Sequence, residues 1–299
     1  MNKLSRNQQA IIYMLIAMFG MSAMNVALRM MAGGLHSTQI VVMRHIWSII
    51  IVFVWAMCLC RGVPKFSSIR LKGHFWRATF GIAAMEMWFY SVTIMPLNIV
   101  TALSFTMPIF STIFAIIFLK ERAGIRRWSA IFTGFIGMLI ILRPDVSGIS
   151  NAGWIVIASS ILMAGSGTMV KSLTSSESPE NIVFYMALFM LIWSIPVAIP
   201  YWQAFSLHDI FIVFIVALCG TIGHLCMARA FVRTELVVLM PLDFTRLIWT
   251  AILAYIIFGE TIDTQTIIGT MVIFASTVYI THRESRKKEM ASSNLKCNG

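Results

Sequence analysis

The chain has 299 residues, of which 59% are hydrophobic and 12% charged, and its formal net charge is +11. Soluble domains carry roughly 25% charged residues, so this composition excludes an ordinary soluble protein and indicates a polytopic membrane protein. The five cysteines lie mostly within apolar runs and are odd in number, which supports neither a disulfide framework nor a zinc site. We therefore expect no cofactor, no bound metal and no nucleic-acid partner.

Apolar runs of membrane length follow one another along the whole chain. A helix needs about 20 apolar residues to cross a bilayer, and the connections between the runs are too short to hold a soluble domain. The predicted fold is an all-α polytopic membrane protein with ten transmembrane helices. The runs fall near 10–31, 38–60, 74–95, 97–119, 126–142, 152–171, 181–199, 209–231, 235–258 and 264–281.

An internal repeat relates the fourth run to the ninth. The tetrapeptides at 103–106 and 242–245 both read Leu-x-Phe-Thr, and a glutamate follows each after the same interval, at Glu121 and Glu260. Laid over each other at an offset of 139 residues, the two 19-residue stretches are identical at eight positions. Shared apolar composition is the alternative explanation, but it does not account for the matching Thr and Glu. A duplicated membrane unit is typical of transporters.

The distribution of Lys and Arg predicts the orientation, because positive loops stay in the cytoplasm. Of the 23 basic residues, 19 fall in segments assigned to the cytoplasm, Arg77 among them, and Arg143 alone is assigned outside. Both termini are therefore predicted to be cytoplasmic. Five spans per half require the second half to be inverted, and the loop after Glu121 is basic whereas the loop after Glu260 has no Lys or Arg. The predicted units are a first five-helix repeat at 1–145, a second, inverted repeat at 146–282 and a basic cytoplasmic tail at 283–299.

Several motifs together resemble a known family. The fourth helix ends in Phe118-Leu119-Lys120-Glu121 and the ninth in Ile256-Ile257-Phe258-Gly259-Glu260, with Pro108 inside the fourth and Gly134 and Gly137 in the fifth. In this order the motifs resemble the EamA branch of the drug/metabolite transporter superfamily. One departure is that Leu247 replaces the second proline, and Pro241 stands upstream instead. The stretch Pro241–Leu247 and the Leu35-His36-Ser37 turn are also similar to the bacterial subgroup that includes S-adenosylmethionine uptake carriers.

The resemblance implies a secondary transporter, either an uptake or an efflux permease. Its expected substrate is a small polar organic metabolite such as an amino acid or S-adenosylmethionine, moved across the inner (plasma) membrane by alternating access. The sequence has no Gly-x-x-x-x-Gly-Lys loop for ATP, which leaves proton exchange or facilitated diffusion. Besides the substrate and the lipid bilayer, a homodimer is compatible with the sequence.

Ionisable residues inside a span cost about 2.5–3.5 kcal/mol each unless they face protein or water, so they are the best candidates for function. Glu86 lies in the middle of the third run, and His224 is its approximate repeat partner in the eighth. They are predicted to bind a cationic group or to exchange a coupled proton, with Trp88 and Tyr90 stacking on the substrate. The alternative is an interhelical hydrogen bond that only stabilises the bundle.

Three further charged residues and two prolines complete the candidate site. Asp243 and Arg246 are three residues apart, so they can neutralise each other or face the substrate beside Pro241. Arg44 is predicted to hold a carboxylate or phosphate, with snorkelling to the interface as the alternative. Pro108 and Pro241 are the candidate hinges.

Charged residues at the helix ends have structural interpretations. Lys171 is expected to cap helix carbonyls, and Glu121 to fix the turn into the next helix. The alternative functions are an intramembrane enzyme that uses Glu86, His224 and Asp243, or a structural membrane protein. No His-Glu-x-x-His motif or nucleophile elbow supports an enzyme, so no catalytic residue is predicted.

Overall fold

The structure is a computed structural model that describes residues 5–31, 35–60, 66–94, 97–142, 151–259, 264–276 and 278–279. These ranges are helical and contain no strand, which confirms the all-helical class. Short 3-10 turns at Ile199–Tyr201 and Met240–Phe244 accompany the helices. The helices are α1 (Arg6–Arg29), α2 (Ser37–Cys60), α3 (Leu71–Ile94), α4 (Leu97–Ser104), α5 (Met107–Leu119), α6 (Ile125–Leu142), α7 (Asn151–Leu173), α8 (Pro179–Ala198), α9 (Leu207–Arg233), α10 (Leu236–Leu239), α11 (Thr245–Phe258) and α12 (Thr264–Ser276).

Within the described ranges, six helical stretches are long and apolar enough to cross a membrane. Two shorter apolar helices, α5 and α12, fall below this length. The chain is thus a multi-pass membrane protein. The six stretches are Arg6–Arg29, Thr38–Cys58, Gly153–Leu173, Pro179–Tyr201, Leu207–Arg233 and Leu236–Phe258.

Side-chain caps define where two of the long helices begin. Ser5 accepts a hydrogen bond from the Gln8 backbone N–H, and the Gln8 side chain accepts one from the Ser5 N–H. Ser206 and Asp209 form the same capping box at the start of α9. Each box satisfies backbone donors that the first turn of a helix leaves free.

The predicted continuous helices at 97–119 and 235–258 are both interrupted. The first is divided into α4 and α5, and Pro108 lies in the first turn of α5, where its missing N–H costs no hydrogen bond. The second is divided into α10 and α11 by the 3-10 turn Met240–Phe244, which contains Pro241. The helix distortion expected near Pro241 is therefore present, and whether the two breaks move as hinges stays a prediction.

Positions that the repeat relates have the same local backbone. Thr106 and Thr245 each donate a hydroxyl hydrogen bond to the carbonyl three residues earlier, at 2.6 and 2.7 Å. Lys120 and Gly259 end α5 and α11 in the left-handed conformation, with φ of 56° and 66°. The repeat therefore encodes a helix break followed by a left-handed helix end.

The two breaks meet at a pair of phenylalanines. Phe105 and Phe244 are buried, and their rings stack with centroids 5.6 Å apart and planes 20° apart. Gly134 on α6 makes room for this pair, because a Cβ there would lie 2.6 Å from the Phe244 ring. Positions one repeat apart thus contact each other directly.

Glycines allow two helix pairs to approach closely. A Cβ at Gly20 of α1 would lie 2.9 Å from the Cys219 carbonyl oxygen and 3.2 Å from the Cα of Gly223 on α9. A Cβ at Gly269 of α12 would lie 2.6 Å from the Gly137 carbonyl oxygen on α6. Small residues at such crossings are typical of membrane helix packing.

Candidate functional site

Polar side chains of three helices collect in an otherwise apolar region. The α2 residues lie on the third and fourth turns of that helix, and the α9 residues lie in the second half of theirs. Burial of polar groups among apolar helices requires partners or a ligand. We call the following six residues the central polar cluster: Arg44, His45 and Ser48 of α2, Arg77 of α3, and Thr221 and His224 of α9.

Hydrogen bonds join the members of this cluster on α2 and α9. Arg44 donates to His45 Nε2 at 3.2 Å and to the Met24 sulfur at 3.2 Å. Thr221 donates to the Ser48 hydroxyl at 2.9 Å. Arg44 thus points into the bundle rather than to an interface, so the snorkelling interpretation is not supported.

Arg77 is the main residue that the sequence analysis missed. It was counted among the cytoplasmic charges, but it is the seventh residue of α3 and only 6% exposed, so it is not a solvated surface arginine. Its Nη2 group donates to the Met186 sulfur at 2.9 Å, and its backbone carbonyl accepts a hydrogen bond from Ser166. A guanidinium buried among helices needs charge or hydrogen-bond partners.

The charges of the central polar cluster are not neutralised by carboxylates. Within the described part of the chain, neither Arg44 nor Arg77 forms an ion pair, and His45 and His224 each lie within electrostatic range of both arginines. Several of their buried nitrogen atoms have no hydrogen-bond partner there. These atoms are Arg44 Nε, Arg77 Nε and Nη1, His45 Nδ1 and His224 Nδ1.

Glu86 lies apart from this cluster. It is nine residues after Arg77, which is half a turn beyond two full turns, so the two side chains leave α3 on opposite faces. The Glu86 side chain is exposed, and in the described ranges it forms no hydrogen bond or ion pair. The interhelical hydrogen bond considered for Glu86 is therefore not observed, nor is a contact with His224.

The two aromatic candidates have different surroundings. The Trp88 indole donates to the Ser104 hydroxyl at 2.9 Å, which attaches α3 to the end of α4. Tyr90 is 56% exposed, on the same side of α3 as Glu86. Trp88 therefore supports the break between α4 and α5, and Tyr90 lies near Glu86.

Asp243 and Arg246 lie at the break between α10 and α11 and pair as predicted. Arg246 Nη2 is 3.9 Å from Asp243 Oδ2, and Asp243 is 5% exposed. The guanidinium lies over the Phe105 ring at 5.0 Å, and the Arg246 carbonyl accepts a hydrogen bond from Ser22 at 2.9 Å. Ser22 and Met24 both belong to α1, and Met24 accepts a hydrogen bond from Arg44. Helix α1 therefore contacts both the Asp243–Arg246 pair and the central polar cluster.

Glu121 connects distant parts of the chain. Its carboxylate accepts hydrogen bonds from the backbone N–H groups of Leu236 and Val237, both at 2.9 Å, at the start of α10. The expectation that Glu121 fixes the turn into its own next helix is wrong. A carboxylate satisfies free N–H groups at a helix start and interacts favourably with the positive end of the helix dipole. The helix that Glu121 caps is α10, whose first residue lies 115 residues further along the chain.

Two more ionic contacts hold the same segment. Arg127 pairs with Glu235 at 2.6 Å. Lys171 caps a helix end, but that of α9 and not of its own helix α7, because it donates to the carbonyls of Phe231 and Thr234. We call the contacts of Glu121, Arg127 and Lys171 with residues 231–237 the α9–α10 tie.

A further carboxylate joins two loops outside the helices. Glu177 accepts hydrogen bonds from the Ser68 hydroxyl at 2.6 Å, the Ile69 backbone and the Asn181 amide. Burial raises the pKa of this carboxyl, but these hydrogen bonds and His74 outweigh burial, so the pKa lies below its ordinary value. Glu177 is therefore a charged structural link between the segments that precede α3 and α8.

These features together define a membrane transporter. The sequence profile of the EamA-like transporter family matches residues 8–143 and again residues 151–282, so the chain belongs to this family. Polar groups buried within apolar helices fit that assignment. The chain is thus a multi-pass membrane transporter for small molecules rather than an enzyme.

Individual relatives match over nearly the whole chain. The chain is 28% identical to an S-adenosylmethionine uptake transporter of Rickettsia prowazekii over 284 residues, covering 95% of each protein. It is 26% identical to a riboflavin transporter of Vibrio cholerae, covering 85% of this chain and 86% of that protein. A protein known from its crystal structure matches with a TM-score of 0.78 at 13% identity, covering 94% of this chain and 98% of that one, which supports the fold.

Proposed function

We propose that the protein is a secondary permease of the bacterial inner membrane that takes up a small polar metabolite, with S-adenosylmethionine as the first candidate. The observation that carries this proposal is the central polar cluster, a charged site enclosed by apolar helices. The full-length similarity to uptake transporters supports the substrate class. Alternating access then moves the substrate without ATP.

The proposed architecture has ten spans in two inverted halves. The pair α4 and α5 forms one span, and α10, the 3-10 turn and α11 form another, so that α1–α6 and α7–α12 provide five spans each. The repeated helix breaks and the two matches of the family profile support this division. An inverted repeat allows two half-bundles to expose one central site to either side in turn.

Thiol labelling tests the inverted topology. Single cysteines replace Ala123 and Ile262 in a variant without the native cysteines. A membrane-impermeant maleimide should then label position 123 only from the cytoplasmic side and position 262 only from outside. An odd number of proposed spans, five, lies between the two loops, so they must emerge on opposite sides. A cysteine at Ala291 in the basic tail is the cytoplasmic control. Labelling of 123 and 262 from one side would contradict the inversion.

The proposed substrate site extends from the central polar cluster to the break at α10 and α11. Arg44 and His224 hold the substrate from one side, and Asp243 and Arg246 hold it from the other. Glu86, with Trp88 and Tyr90 beside it, is proposed as the coupling group. An exposed carboxylate in the middle of a span costs several kcal/mol against lipid, so we place it against a water-filled path.

Uptake by proteoliposomes tests the permease and its site. We expect the wild type to accumulate labelled S-adenosylmethionine from a panel that also contains amino acids and nucleotides, with and without a pH gradient. Glu86→Gln should abolish gradient-driven accumulation, and Asp243→Asn should lower the uptake rate at least ~10-fold, since 1.4 kcal/mol of lost interaction corresponds to a factor of ten. Lys72→Gln on the exposed start of α3 is the control. Normal uptake by folded Glu86→Gln and Asp243→Asn would contradict the site.

A further inference from the structure

We propose that the central polar cluster is an anion site that binds the carboxylate of the substrate, with Arg77 and His45 as ligands beside Arg44. This inference rests on the proposed permease function and specifies its substrate as a small metabolite with a carboxylate, such as an amino-acid headgroup.

The cluster carries excess positive charge. Arg44 and Arg77 remain charged in proteins, and no carboxylate of the described residues pairs with either. Asp243 has Arg246 as its partner. Arg44 donates to His45 Nε2 and to the Met24 sulfur, and Arg77 donates to the Met186 sulfur, and none of these acceptors carries a negative charge. The missing counter-charge is therefore an anion that is not part of these segments.

The free groups of the cluster are hydrogen-bond donors. Arginine only donates, so His45 Nε2 must be the acceptor of the Arg44 hydrogen bond, and a neutral His45 ring then carries its proton on Nδ1. That Nδ1–H group is buried and has no acceptor, like Arg44 Nε and Arg77 Nε and Nη1. A carboxylate presents about four lone-pair sites and can accept from several of these donors at once.

The side chains of the cluster differ in how far they are exposed. His45 is fully buried and Arg77 is 6% exposed, whereas Arg44 and His224 are partly exposed. An anion can thus enter past Arg44 and His224 and reach donors that water does not solvate. Donors in such a site discriminate strongly against a ligand that lacks their acceptor, because they are then left unpaired.

Thermal unfolding of the full-length protein in nanodiscs tests the site with small probes. Sodium formate should raise the unfolding midpoint of the wild type saturably, and sodium chloride at the same ionic strength should not. S-adenosylmethionine should also raise it, with an apparent affinity at least ~10-fold higher than its decarboxylated analogue. Arg77→Met should abolish the formate shift, whereas the exposed control Arg126→Met should retain it.

The outcomes separate this inference from the permease proposal. A formate shift without any effect of S-adenosylmethionine keeps the carboxylate site and overturns the proposed substrate. Equal affinity for S-adenosylmethionine and its decarboxylated analogue keeps the permease and overturns the carboxylate site, as does an equal shift with chloride, which would indicate an inorganic anion. If Arg77→Met does not fold, the wild-type titrations with formate, chloride, S-adenosylmethionine and its decarboxylated analogue decide. In that case the absence of a formate shift overturns the inference.

Discussion

Gly269→Val should prevent the stable packing of α12 against α6. A Cβ at this position would lie 2.5 Å from the Ile141 Cγ1 atom and 2.6 Å from the Gly137 carbonyl oxygen. The second contact is with backbone, so no side-chain rotation can relieve it, and the two helices must separate. Overpacking costs 1–3 kcal/mol or more, and we expect a loss of more than about 3 kcal/mol in the free energy of unfolding. Denaturant unfolding of purified protein measures this loss.

Gly167 offers a matched control for this substitution. It lies inside α7, and a Cβ added there meets nothing within 4 Å. Gly167→Val therefore introduces the same side chain into a helix without the clash, and its effect should stay below about 1 kcal/mol. Equal unfolding free energies for Gly269→Val and the wild type would contradict the close crossing of α6 and α12.

Glu121→Gln should weaken the α9–α10 tie far more than the loss of an ordinary surface charge would. The carboxylate accepts from two backbone N–H groups at the start of α10. A glutamine amide has one acceptor oxygen, so one of the two N–H groups would face an NH₂ donor. Hydrogen bonds to charged groups contribute about 1.5–3 kcal/mol each, and we expect the free energy of unfolding to fall by about 2 kcal/mol or more.

Glu235→Gln is the control for Glu121→Gln, because it changes a neighbouring carboxylate of the same tie in the same way. The Glu235 side chain is 50% exposed where it pairs with Arg127. Exposed ion pairs contribute about 0–1 kcal/mol, so this variant should unfold nearly as the wild type does. Similar losses for both variants would show that the tie acts through net charge and not through the cap on α10.

Local features of the structure were predictable from the sequence, and long-range contacts were not. The repeat of Leu-x-Phe-Thr indicated equivalent positions, and Thr106 and Thr245 do share one hydrogen-bond pattern. The positions of Pro108 and Pro241 indicated helix distortion, because a proline ring and a missing N–H act on the adjacent turn.

Glu121 and Arg77 show what sequence alone leaves out. The acceptors and donors around Glu121 are set by how α5 and α10 pack, and no local pattern encodes a partner 115 residues away. Arg77 lies inside the predicted run 74–95 but was counted with the cytoplasmic charges, because the charge of a side chain does not show whether it is buried. The available signal was its position inside that run, since α3 begins even earlier, at Leu71.

The stacked rings of Phe105 and Phe244 have a consequence for how the protein can work. Each ring belongs to a helix break, and Arg246 covers one of them. A displacement of either break therefore disturbs the ring packing at the other. The two helix breaks are thus packed as one unit rather than as two separate joints.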